Sequence, residues 1–480
     1  MSADNYHMDI ESFKKYGYKV IDEIADYYKH LEEYSVSPNV NFGDILEKLP
    51  VSPPEHGEPF EKIIEDVKNI VIPGLTHWQS PNFFAFFPSN TSFPSILGEL
   101  YSAAFGVQGM VWATSPACTE LEMRVMDWVA ELLNLPEKFM FKGSGGGVIE
   151  DSASTAALCA IIAARENKSN YSTNRKGVRI PLIAYLTKHT HSSVIKGLKV
   201  AGIGEENIHY IDTDKFYAMD VVNLEEHIEI DISKGLIPFF VCATIGTTST
   251  NAVDPVALIG VVAEKYNLWL HVDAAMVGTA AICDKYKYLL DGLEKANSFC
   301  FNPHKWMFTN FDCDCFFVDD RRKLISALTI MPEYLKNIKD NKGTEVIDYR
   351  DWQVSLGRRF RSLKLWFVIR YYGKEGLSFH INKHIELARL FEELVANSQD
   401  FEIFAKRIVN LVCFRHKRGN KFNEKLLNEI NKTGKAYLSH SKIDDIFFLR
   451  FCVGQTYTEK EHVINAWHII QNCANKINLI

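Results

Sequence analysis

Lys305 stands in the run Ser298-Phe299-Cys300-Phe301-Asn302-Pro303-His304-Lys305-Trp306, where an apolar strand pattern breaks at a proline. Thirty-two positions upstream a second apolar pattern, Leu268-Trp269-Leu270-His271-Val272, ends in Asp273-Ala274-Ala275. A primary amine and a carboxylate delivered from two strand ends are the pair needed to hold pyridoxal phosphate (PLP). The amine makes the Schiff base, and the carboxylate keeps the pyridine nitrogen protonated so that the ring can absorb electrons. Either residue alone also reads as a surface lysine after a turn or an aspartate capping a helix. The pair becomes selective when an anion site accompanies it.

That site is sought at Gly143-Ser144-Gly145-Gly146-Gly147, which leads through Val148–Asp151 to Ser152-Ala153-Ser154, where a helical pattern begins. Free amides and hydroxyls at a helix start suit a phosphate dianion, and the glycines permit close backbone approach. A glycine-rich loop by itself is usually a turn. Beside the lysine and aspartate, it supplies the anchor that PLP requires.

Other residues have two readings each. His191, after the strand pattern through Leu186, could stack on a pyridine face or be a loop histidine. Thr248 ends a strand, where its hydroxyl could meet the cofactor or cap a turn. The aromatic run from Pro81 to Pro88, with Phe86 and Phe87, is either core or the wall of a pocket for a flat apolar side chain. Asn337–Thr344 is polar and contains glycine, the composition of a mobile loop, and Tyr334 lies just ahead of it. A phenol on such a segment reads as a lid carrying a proton donor, or as an exposed tyrosine. Cys313-Asp314-Cys315 resembles a ligand pair, but the alternation from Phe311 to Phe317 reads as strand. The cluster Arg358, Arg359, Arg361 and Lys364 reads as a helix start rather than a nucleic-acid patch.

The elements that must position these residues follow from pattern and composition. The 480 residues suggest roughly three domains, with 47% hydrophobic and 24% charged side chains, ordinary for a soluble protein. Fifty-three basic against 60 acidic side chains give −7, which argues against nucleic acid as the main partner. The polar start Met1–Asn5 lacks a basic–apolar signal, and apolar stretches such as Leu236–Ile245 are too short to span a bilayer. Cys159, Cys242, Cys300, Cys413 and Cys452 lie singly in apolar patterns, which fits a reducing cytosol.

Residues 10–33 and Phe60–Val71 carry helical apolar stripes with too little to pack on by themselves, so they are expected to dock on the main domain or a second subunit. From about Phe86 to Arg359 helix and strand patterns alternate, the mark of an α/β sheet. Strands are expected at Leu182–Leu186, Phe239–Thr244, Leu268–Val272, Ser298–Phe301 and Cys315–Val318, and helices at Glu120–Leu133, Ala153–Glu166 and Pro255–Tyr266. Beyond Gly357 come helices Leu363–Tyr372 and His380–Ser398, then strands Phe401–Phe404, Leu411–His416 and Ile446–Cys452, and a last helix Glu459–Ile477. That pattern suggests a smaller α+β domain.

Together these residues resemble the aromatic L-amino-acid decarboxylases, group II PLP-dependent enzymes. The matching strings are Thr76-His77-Trp78, Ser115-Pro116-Ala117-Cys118-Thr119-Glu120-Leu121-Glu122, Gly145-Gly146-Gly147-Val148-Ile149, His191-Ser192-Ser193, His271-Val272-Asp273-Ala274-Ala275, Asn302-Pro303-His304-Lys305-Trp306 and Gly357-Arg358-Arg359-Phe360-Arg361-Ser362-Leu363-Lys364. The likeness reaches from the N-terminal helices to Leu449-Arg450-Phe451 and looks closest to the animal dopa decarboxylases and their plant relatives.

The resemblance implies PLP-dependent transferase fold type I (aspartate-aminotransferase-like), an α/β fold with a mostly parallel central sheet flanked by helices. An N-terminal helical dimerisation segment (1–88), a large PLP-binding domain (89–363) and a small α+β domain (364–480) are expected. It implies that Lys305 attaches PLP, Asp273 pairs with the pyridinium, His191 stacks on the ring and Ala275 packs against it. Ala153, Ser154, Asn302 and His304 would surround the phosphate, with Thr248 near the ring hydroxyl. Tyr334 would protonate the substrate carbon. Phe86, Phe87, Ser89, Gln108, Met110, His191 and Gly357 would line the substrate pocket, Gln108 and Met110 reaching into that of a neighbouring subunit.

A cytoplasmic homodimer with sites at the subunit interface, acting on dopa, tryptophan, 5-hydroxytryptophan or tyrosine and contacting neither nucleic acid nor membrane, is the implied whole. Relatives with phenylalanine at the Tyr334 position, or without the stacking histidine, tend to be aldehyde synthases, so this chain's Tyr334 and His191 favour amine formation. Gly357 stands where histidine decarboxylases and many plant tyrosine decarboxylases carry serine. Gln108, Met110 and Met276 depart from the usual aliphatic residue, phenylalanine and tyrosine.

Overall fold

The strand–helix alternation closes into one seven-stranded sheet. In the computed structural model, which describes residues 6–330 and 346–478, its strands are β1 (Gly146–Glu150), β2 (Leu182–Thr187), β3 (Ile208–Ile211), β4 (Ile237–Thr244), β5 (Trp269–Asp273), β6 (Ser298–Phe301) and β7 (Asp314–Val318). Their spatial order is β1-β7-β6-β5-β4-β2-β3. From β2 to β6 all pairings are parallel, while β7 runs antiparallel to both β6 and β1. The ends of the parallel strands and the start of β7 therefore share one edge.

Every residue of β1, β2, β5, β6 and β7 is buried, which explains their near-continuous apolar runs. One face packs Val148, Phe240, Cys300 and Phe316 against the helix Ala153–Lys168. The other packs Ile149, Val241, Leu270, Phe299 and Phe317 against Pro116–Leu133 and Val256–Lys265.

Strands β1 and β3 were not expected from the sequence. Two glycines open β1 and give it no side-chain alternation, and β3 has only four residues, two of them polar-tipped. The expected helices Leu363–Tyr372 and His380–Ser398 are one stretch, Arg361–Ala396, broken at Gly373 with φ 60° and ψ 179°. That backbone conformation is open only to glycine.

The stretch leads into a second, antiparallel sheet of β8 (Phe401–Ala405), β9 (Leu411–His416), β10 (Ser439–Ile443) and β11 (Ile446–Cys452), in the order β10-β11-β9-β8. Its core stacks Phe451 between Phe391, 3.7 Å away, and Phe84, 4.0 Å away. The polar edge strand β10 was the third one missed, because Ser, His, Ser and Lys fill four of its five positions.

At the N-terminus the helix Ile10–Lys29 is capped by Asp9, which accepts from the Ser12 amide at 2.8 Å, and it buries no residue. Phe60–Asp66 continues as a wider turn through Val71. Among the described residues no helix is long and apolar enough to cross a membrane. Tyr334 and the expected loop Asn337–Thr344 lie outside the described residues.

Candidate active site

The carboxyl edge of the large sheet brings Lys305, Asp273 and His191 together. Parallel register sets Thr244 beside Asp273 and Asp273 beside Cys300, so the aspartate ends β5 next to the strand that leads to Lys305. Asp273 is 5% exposed, and its Oδ1 accepts from the Ala275 amide at 3.0 Å. That bond fixes the carboxylate at the mouth of the edge. After β6, Asn302-Pro303-His304-Lys305 forms a single helical turn, closed by the Lys305 amide donating to the Asn302 carbonyl at 3.0 Å. Burial lowers the basicity of the Lys305 amine, and the Asp273 carboxylate pulls it partly back.

Asn90 clamps this turn, and sequence reasoning missed it. Its amide donates to the Lys305 carbonyl at 3.2 Å, its Nδ2 to the Gly454 carbonyl at 2.8 Å, and its Oδ1 accepts from Phe308 at 2.6 Å. The sequence offered only an asparagine after Pro88-Ser89, with no local sign that it would be buried. Ser89, beside it, is half-buried, and its carbonyl accepts from Gln79 at 2.7 Å.

His304 is buried, its Nδ1 accepts from the Cys313 amide at 2.9 Å, and burial pushes its pKa down to about 3. The neutral ring therefore carries its hydrogen on Nε2, which can donate to the Asn302 carboxamide, 3.1 Å away, only through that group's oxygen. So turned, the carboxamide leaves its NH2 as the buried end without a partner. A buried, unspent amide at this edge fits a ligand rich in hydrogen-bonding oxygens.

The anion site is narrower than the sequence suggested. The glycines of Gly143–Gly147 lie at the far end of β1 from the helix Ala153–Lys168, and they serve packing. A Cβ on Gly145 would overlap the carbonyl oxygens of Val318 and Lys138, and one on Gly147 would meet Met126 and Phe317. Unused amides are found at the helix start itself. The Thr155 and Ala156 amides fold back on the Ser152 carbonyl, and Ser152 makes no side-chain cap. The amides of Ala153 and Ser154 are left for a ligand.

His191 caps the helix Ser192–Val200 after β2: its Nδ1 accepts from the Ser193 amide at 3.2 Å and lies 2.7 Å from the Ser193 hydroxyl. Desolvation lowers its pKa, so the ring is neutral with its hydrogen on Nε2. Thr248 is exposed in the turn after β4, and Ala275 is half-buried after β5. Met276 is wholly buried in the core.

The aromatic run divides residue by residue. Phe83 and Phe84 are core, while Phe86, at φ 54°, is half exposed and stacks on Trp78 at 5.7 Å. The Phe87 ring lies 5.3 Å from the Lys305 Nζ and 5.4 Å from the Arg450 guanidinium. Arg450 was visible only as part of Leu449-Arg450-Phe451. It is 3% exposed, donates to Ser439 at 2.9 Å and keeps a buried Nη2 without a partner.

Gln108 and Gly357 are neighbours within one chain. The Gln108 Oε1 accepts from the Arg358 amide at 2.6 Å, and its Nε2 lies 3.5 Å from where a Gly357 Cβ would stand. The Met110 carbonyl accepts from Arg350 at 2.9 Å. All four cations of the basic cluster are ion-paired: Arg358 with Glu122 at 2.6 Å, Arg359 with Asp312 at 3.3 Å, Arg361 with Asp312 at 2.9 Å and Lys364 with Glu99 at 2.9 Å.

The donor set thus fits PLP: an amine, a carboxylate, and free amides at a helix start, all on one sheet edge. Residues 43–417 match the pyridoxal-dependent decarboxylase conserved domain. The chain is 47% identical over 477 residues to a phenylacetaldehyde synthase of Arabidopsis thaliana, covering 98% of this chain and 97% of the relative. It is 44% identical to tryptophan decarboxylase 2 of Oryza sativa subsp. japonica, covering 98% and 96%. A crystal structure of Oryza sativa TDC with PLP and tryptamine superposes with a TM-score of 0.95 at 41% identity, covering 98% of this chain and 99% of that one. The fold that gathers Lys305 and Asp273 on one sheet edge is shared with a protein solved with PLP, and the chain belongs to the pyridoxal-dependent decarboxylase family.

Proposed function

We propose that this chain removes the carboxyl group of an aromatic L-amino acid, releasing the amine and carbon dioxide. The observation that carries the reading is Phe87, which holds the Lys305 amine and the Arg450 guanidinium against one aromatic ring. An amine for the cofactor, a buried cation with a spare donor for a carboxylate, and a flat apolar surface for a side chain are what such a substrate requires. The names of the relatives, a tryptophan decarboxylase and a phenylacetaldehyde synthase, support the aromatic class.

When bound, PLP supplies a carbonyl for the substrate's amino group and an electron-poor ring for the pair released by decarboxylation. Lys305 would hold it covalently, and Asp273 would face its ring nitrogen. Ala153, Ser154, Asn302 and His304 would hold the phosphate, with Thr248 at the ring hydroxyl and Ala275 against the ring. The lowered basicity of Lys305 keeps part of its amine free to bond carbon. His191 presents a neutral ring fixed by Ser193, which suits stacking and leaves its Nε2–H as a donor. Arg450 would orient the carboxylate, and Phe87 would keep water from the bond that breaks. Tyr334 would return a proton to the substrate carbon.

Retention of Tyr334 and His191 supports amine over aldehyde as product. The relative named phenylacetaldehyde synthase keeps aldehyde formation as the second reading. Incubation with dopa, tryptophan, 5-hydroxytryptophan, tyrosine and phenylalanine separates them: amine and carbon dioxide in equal amounts support the first, and stoichiometric hydrogen peroxide and ammonia with no amine reject it.

The working unit is proposed to be a homodimer, with residues 1–88 as its dimerisation segment. The helix Ile10–Lys29 exposes Ile10, Phe13, Tyr18 and Ile21, and the groove of about 290 Å³ beside it is lined by Val20, Ile24, Ile64, Val67 and Leu75. A cytoplasmic location agrees with ten buried cysteines, all free.

A further inference from the structure

Two acids in the floor of the site are unused by the reading above. Glu150 ends β1, Asp314 opens β7, and they are direct partners in the antiparallel register. Side chains so paired share a face with Cβ atoms about 5 Å apart. Cys300 pairs with Phe316, two residues on from Asp314, and Asp273 pairs with Cys300. By the two-residue period of a strand, Glu150, Asp314, Cys300 and Asp273 form a row on the face covered by the helix Ala153–Lys168.

Glu150 is 2% exposed and Asp314 is 0% exposed. Neither carboxyl oxygen of Asp314 has a hydrogen-bond partner among the described residues, and Glu150 meets the Cys159 thiol at 3.6 Å. Arg358 is committed to Glu122 and Arg361 to Asp312, and the Lys305 amine offsets only part of the cost of burying Asp314. The neighbouring Asp151, Asp273 and Cys313 add only potential negative charge. Two bare carboxylates so placed would repel each other and lose their hydration without compensation. Burial raises Asp314 well above the usual carboxylate range and Glu150 to about 7.

We propose that Glu150 and Asp314 form a buried acid pair in the floor of the site, and that loss of a proton from the pair weakens the hold on PLP by placing negative charge beneath an anionic ligand. The inference rests on the assignment of PLP to this edge. The pair is a positioning element and touches no substrate. The sign is fixed by the raised acid: above its folded pKa the floor is charged, so affinity falls as pH rises.

The test compares PLP dissociation constants of apo wild type and E150Q/D314N from about pH 6 to about pH 9. Lys305 interacts with Asp314 and not with Glu150, so the single variant E150Q, measured alongside, separates the charge of the floor from the titration of Lys305. Wild type is expected to lose about tenfold more affinity across that range than the variant, the effect of one charge about 10 Å away at an effective dielectric of about 20. Pyridoxal, which lacks the phosphate, should show a smaller difference.

The apo thermal midpoint gives a readout independent of activity. It should fall more steeply through about pH 7 in wild type than in the variant, and the single variants E150Q and D314N serve if the double variant does not fold. Equal pH slopes in wild type and variant, for both PLP affinity and midpoint, overturn the acid pair. Absence of PLP binding by wild type at every pH overturns the site assignment instead.

Discussion

Removing the negative partner of Arg358 should unfold the wall that carries Gly357. The guanidinium is 4% exposed, donates to Glu122 at 2.6 Å, to Gln353 at 3.0 Å and to the Ile149 carbonyl at 3.1 Å, and lies 4.5 Å from the Tyr349 ring. Glu122 also accepts from the Ile149 amide at 2.8 Å, tying the pair to β1. Breaking a buried pair by deleting one partner costs about 3–5 kcal/mol, because the remaining charge keeps its desolvation penalty. Glu122→Gln preserves an acceptor for Ile149, so the loss should fall near about 3 kcal/mol. Urea unfolding followed by tryptophan fluorescence measures it. Removing the stranded charge as well, as E122Q/R358M, keeps the acceptor for Ile149 and should recover about 1 kcal/mol or more of that loss. If E122Q lies within about 1 kcal/mol of wild type, or the double variant is no better than E122Q, the pair is not the tie described.

Tyr334→Phe should shift product from amine toward aldehyde with hydrogen peroxide, measured by chromatography and a peroxidase assay; unchanged amine output refutes the proton-donor role. Gly357→Ser adds a Cβ that meets only the Gln108 Nε2 at 3.5 Å, so stability should change by less than about 0.5 kcal/mol. The kcat/KM for indole relative to phenol substrates should fall by about tenfold, and an unchanged ratio removes Gly357 from the specificity wall. Asp273→Asn should lower kcat about 10²–10³-fold with PLP still bound, and an activity loss below tenfold would exclude the charge as the ring's partner.

Much of the site was legible because its residues sit where strands end. The apolar runs before Asp273 and Lys305 announced β5 and β6, and the helix after Ser152 announced itself by its alanines. Less legible was anything that depended on which strands pair. The Gly143–Gly147 run invited a phosphate reading, yet it faces β7 and meets Val318, a neighbour fixed only by the antiparallel return of the chain. Arg358 read as part of a helix start, and nothing local announced its pairing with Glu122, 236 positions away. Arg450 and Phe87 come from opposite ends of the sequence, so their meeting over Lys305 left no local trace. Polar β10 and glycine-led β1 lack the alternation by which strands are recognised.

The central claim is that the Lys305 amine is where the cofactor is held. Borohydride reduction of the holoprotein, then proteolysis and mass spectrometry, tests it most directly. The account predicts a pyridoxyl-phosphate adduct on Lys305 alone, absent from Lys305→Ala. An adduct on another lysine, or an undiminished adduct in Lys305→Ala, would contradict it.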